Sequence, residues 1–247
     1  MSHIPSNLPQ GSEDFPAAYS ERPAAKKLSR PGWPEIIVGL VVLGAVAVGV
    51  AMLLGRLDPG PVVYGLALTA LSGVAPLVGF AAAAMLRIRS LNVLGVRRVS
   101  GRWLLIGVGV GVIAFVLKGL AVVAWIQITG VDANVQSMYG EGGSGGALSL
   151  VLATVFIGLL TPLGEELLFR GVVANALLRY GPFVGVVGST LIFALAHGVN
   201  EVFPAALVVG LIAAEVFRRS GSVWPGVVVH AVVNLPTVPA LVLAGTA

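Results

Sequence analysis

The chain has 247 residues, 57% of them hydrophobic and only 11% charged, with a mean hydropathy of +0.96. A soluble domain carries about 25% charged residues, and at this length it has too little interior to hide so much apolar surface, so the solvent that suits the chain is lipid. A formal net charge of +4 would suit nucleic acid in a soluble protein. Here the basic residues cluster beside apolar runs, which points to the anionic face of a bilayer and to no nucleic-acid partner. No cysteine is present, which excludes disulfides, thiolate zinc sites and a cysteine nucleophile.

Residues 1–34 are polar and rich in Pro, Ser and charge, and read as a disordered tail. Its His3 has no neighbours that suggest chemistry. Apolar runs follow at about 36–55, 62–86, 103–128, 148–178, 183–200, 203–217 and 223–245. A spanning helix needs roughly 20 apolar residues, so the fold class is an all-α polytopic membrane bundle of about seven to eight helices. Residues 35–146 form its first part, and residues 147–247 the part that carries the chemistry. A re-entrant segment has room within 165–200. The frequent glycine, 33 residues, suits close helix packing in lipid.

Orientation follows from Lys and Arg. With the N-terminus cytoplasmic, thirteen of the fifteen basic residues fall inside. They are Arg22, Lys26, Lys27 and Arg30; Arg87, Arg89, Arg97, Arg98 and Arg102; Arg170 and Arg179; and Arg218 and Arg219. Only Arg56 and Lys118 remain, and Lys118 is expected to snorkel outward from the third span. The loop 130–147 has Asp132 and Glu141, no Lys or Arg, and the run Gly-Glu-Gly-Gly-Ser-Gly-Gly. It is expected to be flexible and outside. Trp33, Trp103 and Trp224 read as interfacial anchors.

Ionisable groups inside a span cost several kcal/mol by most estimates and usually serve a purpose. Three clusters qualify: Glu165-Glu166 with Arg170, Phe193 with His197, and His230 with Asn234. Glu166 and Arg170 are four apart and share a helix face. Glu165 and Glu166 point about 100° apart, so they are expected not to serve the same partner. The simplest division pairs Glu166 with Arg170 and leaves Glu165 facing a cavity. His230 and Asn234 project from one face, where two neutral donors suit a developing oxyanion. A carboxylate and an imidazole in a low-dielectric cavity suit water activation. Glu165 and His197 are therefore the expected activating pair, and His230 and Asn234 the expected oxyanion hole.

Read blandly, each group has a structural use. A Glu-Arg pair fastens helices, and a lone His bonds between them. Glu215 balances Arg218 or Arg219, and Glu201 and Asn200, which follow His197 closely, are read as loop residues ahead of the alternative that they shape the site's mouth. Naive counting along alternating spans also places Glu165 and His197 at different depths. They meet only if the fourth span runs to about residue 178 and the fifth extends past His197, around a watery cavity.

Together, Glu165-Glu166-x-x-x-Arg170, Phe193-x-x-x-His197 and His230-x-x-x-Asn234 resemble the motifs of the CPBP family. This family comprises intramembrane proteases that include the type II CAAX prenyl endopeptidases and the bacteriocin-processing or immunity (Abi) proteins. The resemblance covers about residues 150–236, and Leu94-Gly95-Val96-Arg97 is similar to a short stretch common in these proteins. It implies an intramembrane endopeptidase acting near the cytoplasmic side on membrane-associated peptides or proteins. It also implies the same roles for Glu165, His197, His230 and Asn234, with Glu166, Arg170 and Phe193 in support. Family members have been described as metal-dependent and as metal-free. Glu165, His197 and His230 supply three possible zinc ligands, but H-E-x-x-H is absent and Asn234 beside His230 suits hydrogen bonding. The expectation is that no cofactor is required. A non-proteolytic scaffold or immunity protein is the alternative. A transporter ranks last, because no inverted repeat is evident.

Overall fold

The computed structural model describes residues 30–245, so nearly all of the expected disordered tail, His3 included, lies outside the described residues. No strand occurs among them, and they form eight helices. Helix α1 spans Trp33–Leu57, α2 Pro61–Ile88, α3 Gly101–Thr129 and α5 Ala147–Tyr180. The short α4 spans Ser137–Gly143. Val184–Ala196 forms α6, Val202–Ser220 forms α7 and Trp224–Leu243 forms α8. Five of these (α1, α2, α3, α5 and α8) are long and apolar enough to cross a membrane. The chain is a multi-pass membrane protein.

Much of α1 and α3 faces outward, with Ile37, Val41, Leu105 and Leu120 among the exposed apolar side chains. In lipid such faces need no polar cover. Helix α5 differs. Every residue from Leu167 to Ala174 is buried, and Leu168, Phe169, Val172 and Val173 lie in the core with Phe80, Phe193 and Phe217. The bundle is wrapped around this helix. Its turns widen to π geometry over Phe156–Leu160 and Leu167–Ala174, a local feature frequent at functional sites.

The ends of the bundle are tied by polar contacts. At one end Trp33 Nε1 donates to Tyr180 Oη at 3.1 Å, and Arg179 donates to the Pro31 carbonyl. Glu35, buried at the start of α1, accepts from Arg87 at 2.6 and 2.7 Å and from the Gly32 N–H. The Leu94–Arg97 stretch lies at the same end. Leu94 is fully buried, and Gly95 has φ +76° with its α-carbon packed against Phe217. Arg97 Nε donates to the Gly221 carbonyl at 2.6 Å, and the Val223 N–H donates to the Gly95 carbonyl at 3.0 Å. This staple fixes the turn that launches α8.

Two expectations need correction here. The fifth span does not extend past His197. Helix α6 ends at Ala196, His197 caps it, and Gly198 turns the chain away at φ +80°. The residues still meet, because α5 is long and α6 is short. Glu165 stands about 22 Å along α5 from Tyr180, and His197 about 20 Å along α6 from Val184. The turn between α5 and α6 sets a common baseline, so both residues reach the same depth.

The 130–147 loop is also not simply flexible. It contains α4, and Gly140, Gly142 and Gly143 are buried. A Cβ on Gly142 would stand 2.6 Å from the Gly65 carbonyl carbon, and one on Gly143 would stand 2.7 Å from Val238. These glycines permit close approach of α4 to α2 and α8; they do not supply slack. Gly142→Val is therefore expected to destabilise the protein by about 1–3 kcal/mol through overpacking. A lowered thermal midpoint in detergent checks this, and an unchanged midpoint would restore the flexible-loop reading.

Candidate active site

Three elements deliver the polar residues. Helix α5 carries Glu165, Glu166 and Arg170, α6 ends on His197, and α8 carries His230 and Asn234. Glu165 Oε1 lies 3.6 Å from His197 Nε2, and its Oε2 lies 3.7 Å from His230 Nε2. Both distances exceed a direct hydrogen bond and suit bridging by a water. Glu165 Oε2 is buried with no hydrogen-bond partner among the described residues.

Behind Glu165 stands a second carboxylate. Glu166 Oε1 pairs with His230 Nδ1 at 3.1 Å, and its Oε2 lies 3.1 Å from Arg170 Nε. The Glu166–Arg170 contact has ion-pair distance without hydrogen-bond alignment, since neither atom has a hydrogen-bond partner. Arg170 Nη2 donates to the Gly210 carbonyl on α7 at 3.3 Å. Glu166 is fully buried and Arg170 is 1% exposed.

The expectation that the adjacent glutamates serve separate partners therefore fails. Both address the His230 ring, Glu165 at Nε2 and Glu166 at Nδ1. The ring lies between their two directions, and its nitrogens face opposite ways.

Phe193 holds the arrangement together. The Arg170 guanidinium sits 4.6 Å from its ring centre, and its edge contacts reach His197 at 4.7 Å and His230 at 5.9 Å. Its carbonyl meets His197 Nδ1 at 2.9 Å, so that Nε2 is the nitrogen His197 turns to Glu165. Space for Glu166 depends on Gly226, where a Cβ would lie 2.6 Å from Oε2. Asn234 Nδ2 donates to the Ile157 carbonyl at 3.4 Å.

Two cavities meet at Glu165 and His197, also sharing Ser72, Gln136, Tyr139 and Val202. The larger, about 730 Å³, runs between α1, α2 and α6 past Leu43, Ala47, Leu71 and Leu195. The smaller, about 320 Å³, is bounded by α3, α7 and α8 and also reaches His230 and Asn234.

Residues that sequence reasoning passed over or ranked lower line these spaces. Tyr139 on α4 borders both. Its phenol is held above its usual pKa, first by burial and then by the nearby Glu165 carboxylate. Glu201, read as a loop residue, is buried and accepts from the Val135 N–H at 2.7 Å and the Ala133 N–H at 3.3 Å. It pins the segment that covers the smaller cavity. Lys118 does not snorkel outward. It turns into that cavity and donates to the Val233 carbonyl at 3.1 Å. Its position inside a span was the available signal; Tyr139 gave none. Glu215 does balance both Arg218 and Arg219, at 2.7 and 2.6 Å.

Residues 147–236 match the family model described as type II CAAX prenyl endopeptidase Rce1-like. This stretch belongs to the CPBP/CAAX protease family. The CAAX-protease segment runs through α5, α6, α7 and most of α8 and contains all seven motif residues. Helices α1 to α4 lie outside it. No curated protein and no solved structure matches the chain. At the family level, this is the segment of a protease.

Of the metal-ligating types, Glu165, His197 and His230 converge. Even so, no group of three or more His, Cys, Asp or Glu side chains among the described residues is arranged to hold a metal ion. Both imidazoles commit Nδ1 to protein partners and turn Nε2 toward Glu165.

Replacing Glu166 by Gln leaves Arg170 buried without its carboxylate, and breaking a buried pair in this way costs about 3–5 kcal/mol. Glu166→Gln is expected to lower the thermal midpoint strongly, with Glu166→Gln/Arg170→Met recovering part of the loss. Thermal unfolding of both variants in detergent checks it.

Proposed function

We propose that the chain is an intramembrane endopeptidase that hydrolyses peptide bonds of membrane-associated peptides or proteins. The observation that carries this reading is the convergence of Glu165, His197 and His230 on one point where two cavities join. A water between Glu165 and His197 lies within reach of both. Glu165 takes its proton as the water oxygen bonds to the substrate carbonyl carbon. The carbonyl oxygen becomes an oxyanion and meets His230 Nε2 and the Asn234 amide. When the C–N bond breaks, the proton held by Glu165 passes to the leaving amine.

Glu166 supports this by holding His230. Glu166 Oε1 holds His230 Nδ1 at 3.1 Å, so Nε2 is the ring nitrogen that His230 presents to the proposed oxyanion. Arg170 and Phe193 keep Glu166 and both imidazoles in register. The larger cavity, with its apolar lining, is the proposed substrate entrance. We propose hydrolysis without a cofactor, because the carboxylate and imidazole together supply base and acid.

Loss of a general base costs roughly 10²–10⁴-fold, so Glu165→Gln and His197→Ala are each expected to reduce cleavage at least to that extent. Mass spectrometry of a membrane-peptide library incubated with purified protein provides the readout. Chelator is expected to leave wild-type cleavage unchanged, and its loss on chelation would move the reading to a metal enzyme. No cleavage by folded wild-type protein would favour a binding scaffold of the immunity type.

The basic end of the bundle, with Arg87, Arg89, Arg97 and Arg98, is proposed to face the cytoplasm together with the N-terminus. The chain lacks cysteine, so Arg98→Cys supplies a single label site. It should react with an impermeant maleimide in inside-out vesicles and not in right-side-out ones.

A further inference from the structure

Among the described residues, Lys118 is the one Lys or Arg lining the smaller cavity. Its Nζ donates to the Val233 carbonyl at 3.1 Å and lies 5.5 Å from the centre of the Phe115 ring. An ammonium has three donors, and a single carbonyl uses one. No carboxylate pairs with Lys118 among the described residues, and the acidic groups of this cavity are engaged elsewhere. Glu165 faces the two histidines, and Glu201 accepts two backbone N–H groups. Satisfying Val233 would take only a neutral donor. A spanning cation costs far more and is retained where it meets a partner.

Its location narrows the partner. Lys118 lines the same cavity as Asn234, the proposed oxyanion-hole amide, and bonds the carbonyl of the residue before it. It lines the smaller cavity and not the larger apolar one, while Glu165 borders both. A chain crossing Glu165 with its apolar part in the larger space would extend into one bounded by Lys118. The smaller cavity, about 320 Å³, has room for a short stretch of chain.

We propose that Lys118 is a specificity-determining residue that binds a carboxylate of the substrate close to the scissile bond. This rests on the protease reading. The carboxylate is either the substrate's C-terminus or an Asp or Glu side chain, and in both cases the ammonium supplies charge-assisted hydrogen bonds.

The test is a binding experiment that needs no turnover. Immobilised Glu165→Gln protein in detergent is offered a membrane-peptide library. Each sequence is present as a C-terminal acid, as an amide, and as an amide with one Asp near the C-terminus. Retained peptides are counted by mass spectrometry. An acid-bearing form is expected to be enriched over the plain amide by about tenfold or more. Enrichment of the C-terminal acid alone identifies the terminus as the ligand, and equal enrichment of the Asp form identifies any nearby carboxylate.

Adding Lys118→Gln, which retains a donor for Val233, is expected to abolish the preference, and Lys118→Arg to keep it. No preference with Lys118 present, or a preference that persists in Lys118→Gln, would overturn the proposal. So would loss in both variants, because that would assign Lys118 to packing. Failure of the protease reading shows separately, as wild-type protein that retains acidic peptides without cutting them.

Discussion

Glu166 and Arg170 lie side by side in the interior of a protein whose outer faces meet lipid. Neither charge is tolerable there alone, since removing water from an ion costs several kcal/mol even after relaxation. Their 3.1 Å approach offsets part of that cost, and the remaining contacts radiate from them. Arg170 reaches the Gly210 carbonyl of α7 and the face of Phe193 on α6, and Glu166 reaches His230 on α8. The pair thus joins four helices, and its burial requires that α5 be enclosed by them. Gly226 is part of the same constraint, because any side chain there would occupy the volume of the Glu166 carboxylate.

Enclosing α5 has a consequence for chemistry. The side chain next to Glu166 emerges on the other side of the His230 ring, where two cavities meet. Glu165 is supported from behind by charges that are already neutralised in pairs, and it faces open space in front. The imidazoles are oriented by their other nitrogens, through the Phe193 carbonyl and through Glu166. Such outer contacts fix which ring nitrogen is turned to Glu165 and the cavities. The breaks in regular structure serve the same end. Helix α6 stops on His197, and Glu201 secures the covering segment to the start of α7.

The parts outside the CAAX-protease segment contribute walls more than polar groups of the candidate site. Helices α1 and α2 bound the larger cavity, and α4 closes against α2 through paired glycines. Helix α3 brings Lys118 to the smaller cavity. The Leu94–Arg97 stretch holds the α7–α8 turn and so sets the start of the helix that carries His230 and Asn234.

The sequence by itself determined the membrane class, the approximate positions of the apolar helices and the polar residues set among them. These follow from local quantities: runs of apolar residues, i,i+4 spacing and the cost of charge in lipid. Of the seven expected spans, however, only five are long and apolar enough to cross a membrane. The Glu166–Arg170 pair was legible because both partners lie on one helix turn. The sharing of His230 by two adjacent glutamates was not, since the ring between them belongs to another helix. Lys118 was visible as a spanning cation, but its direction depended on a cavity formed by α3, α7 and α8. The Gly-rich loop looked like slack because composition does not distinguish a glycine that bends from one that lets two helices touch. Only the tertiary structure decided that Glu165 and His197 stand at one depth, because that depends on where α6 stops relative to the long α5 beside it.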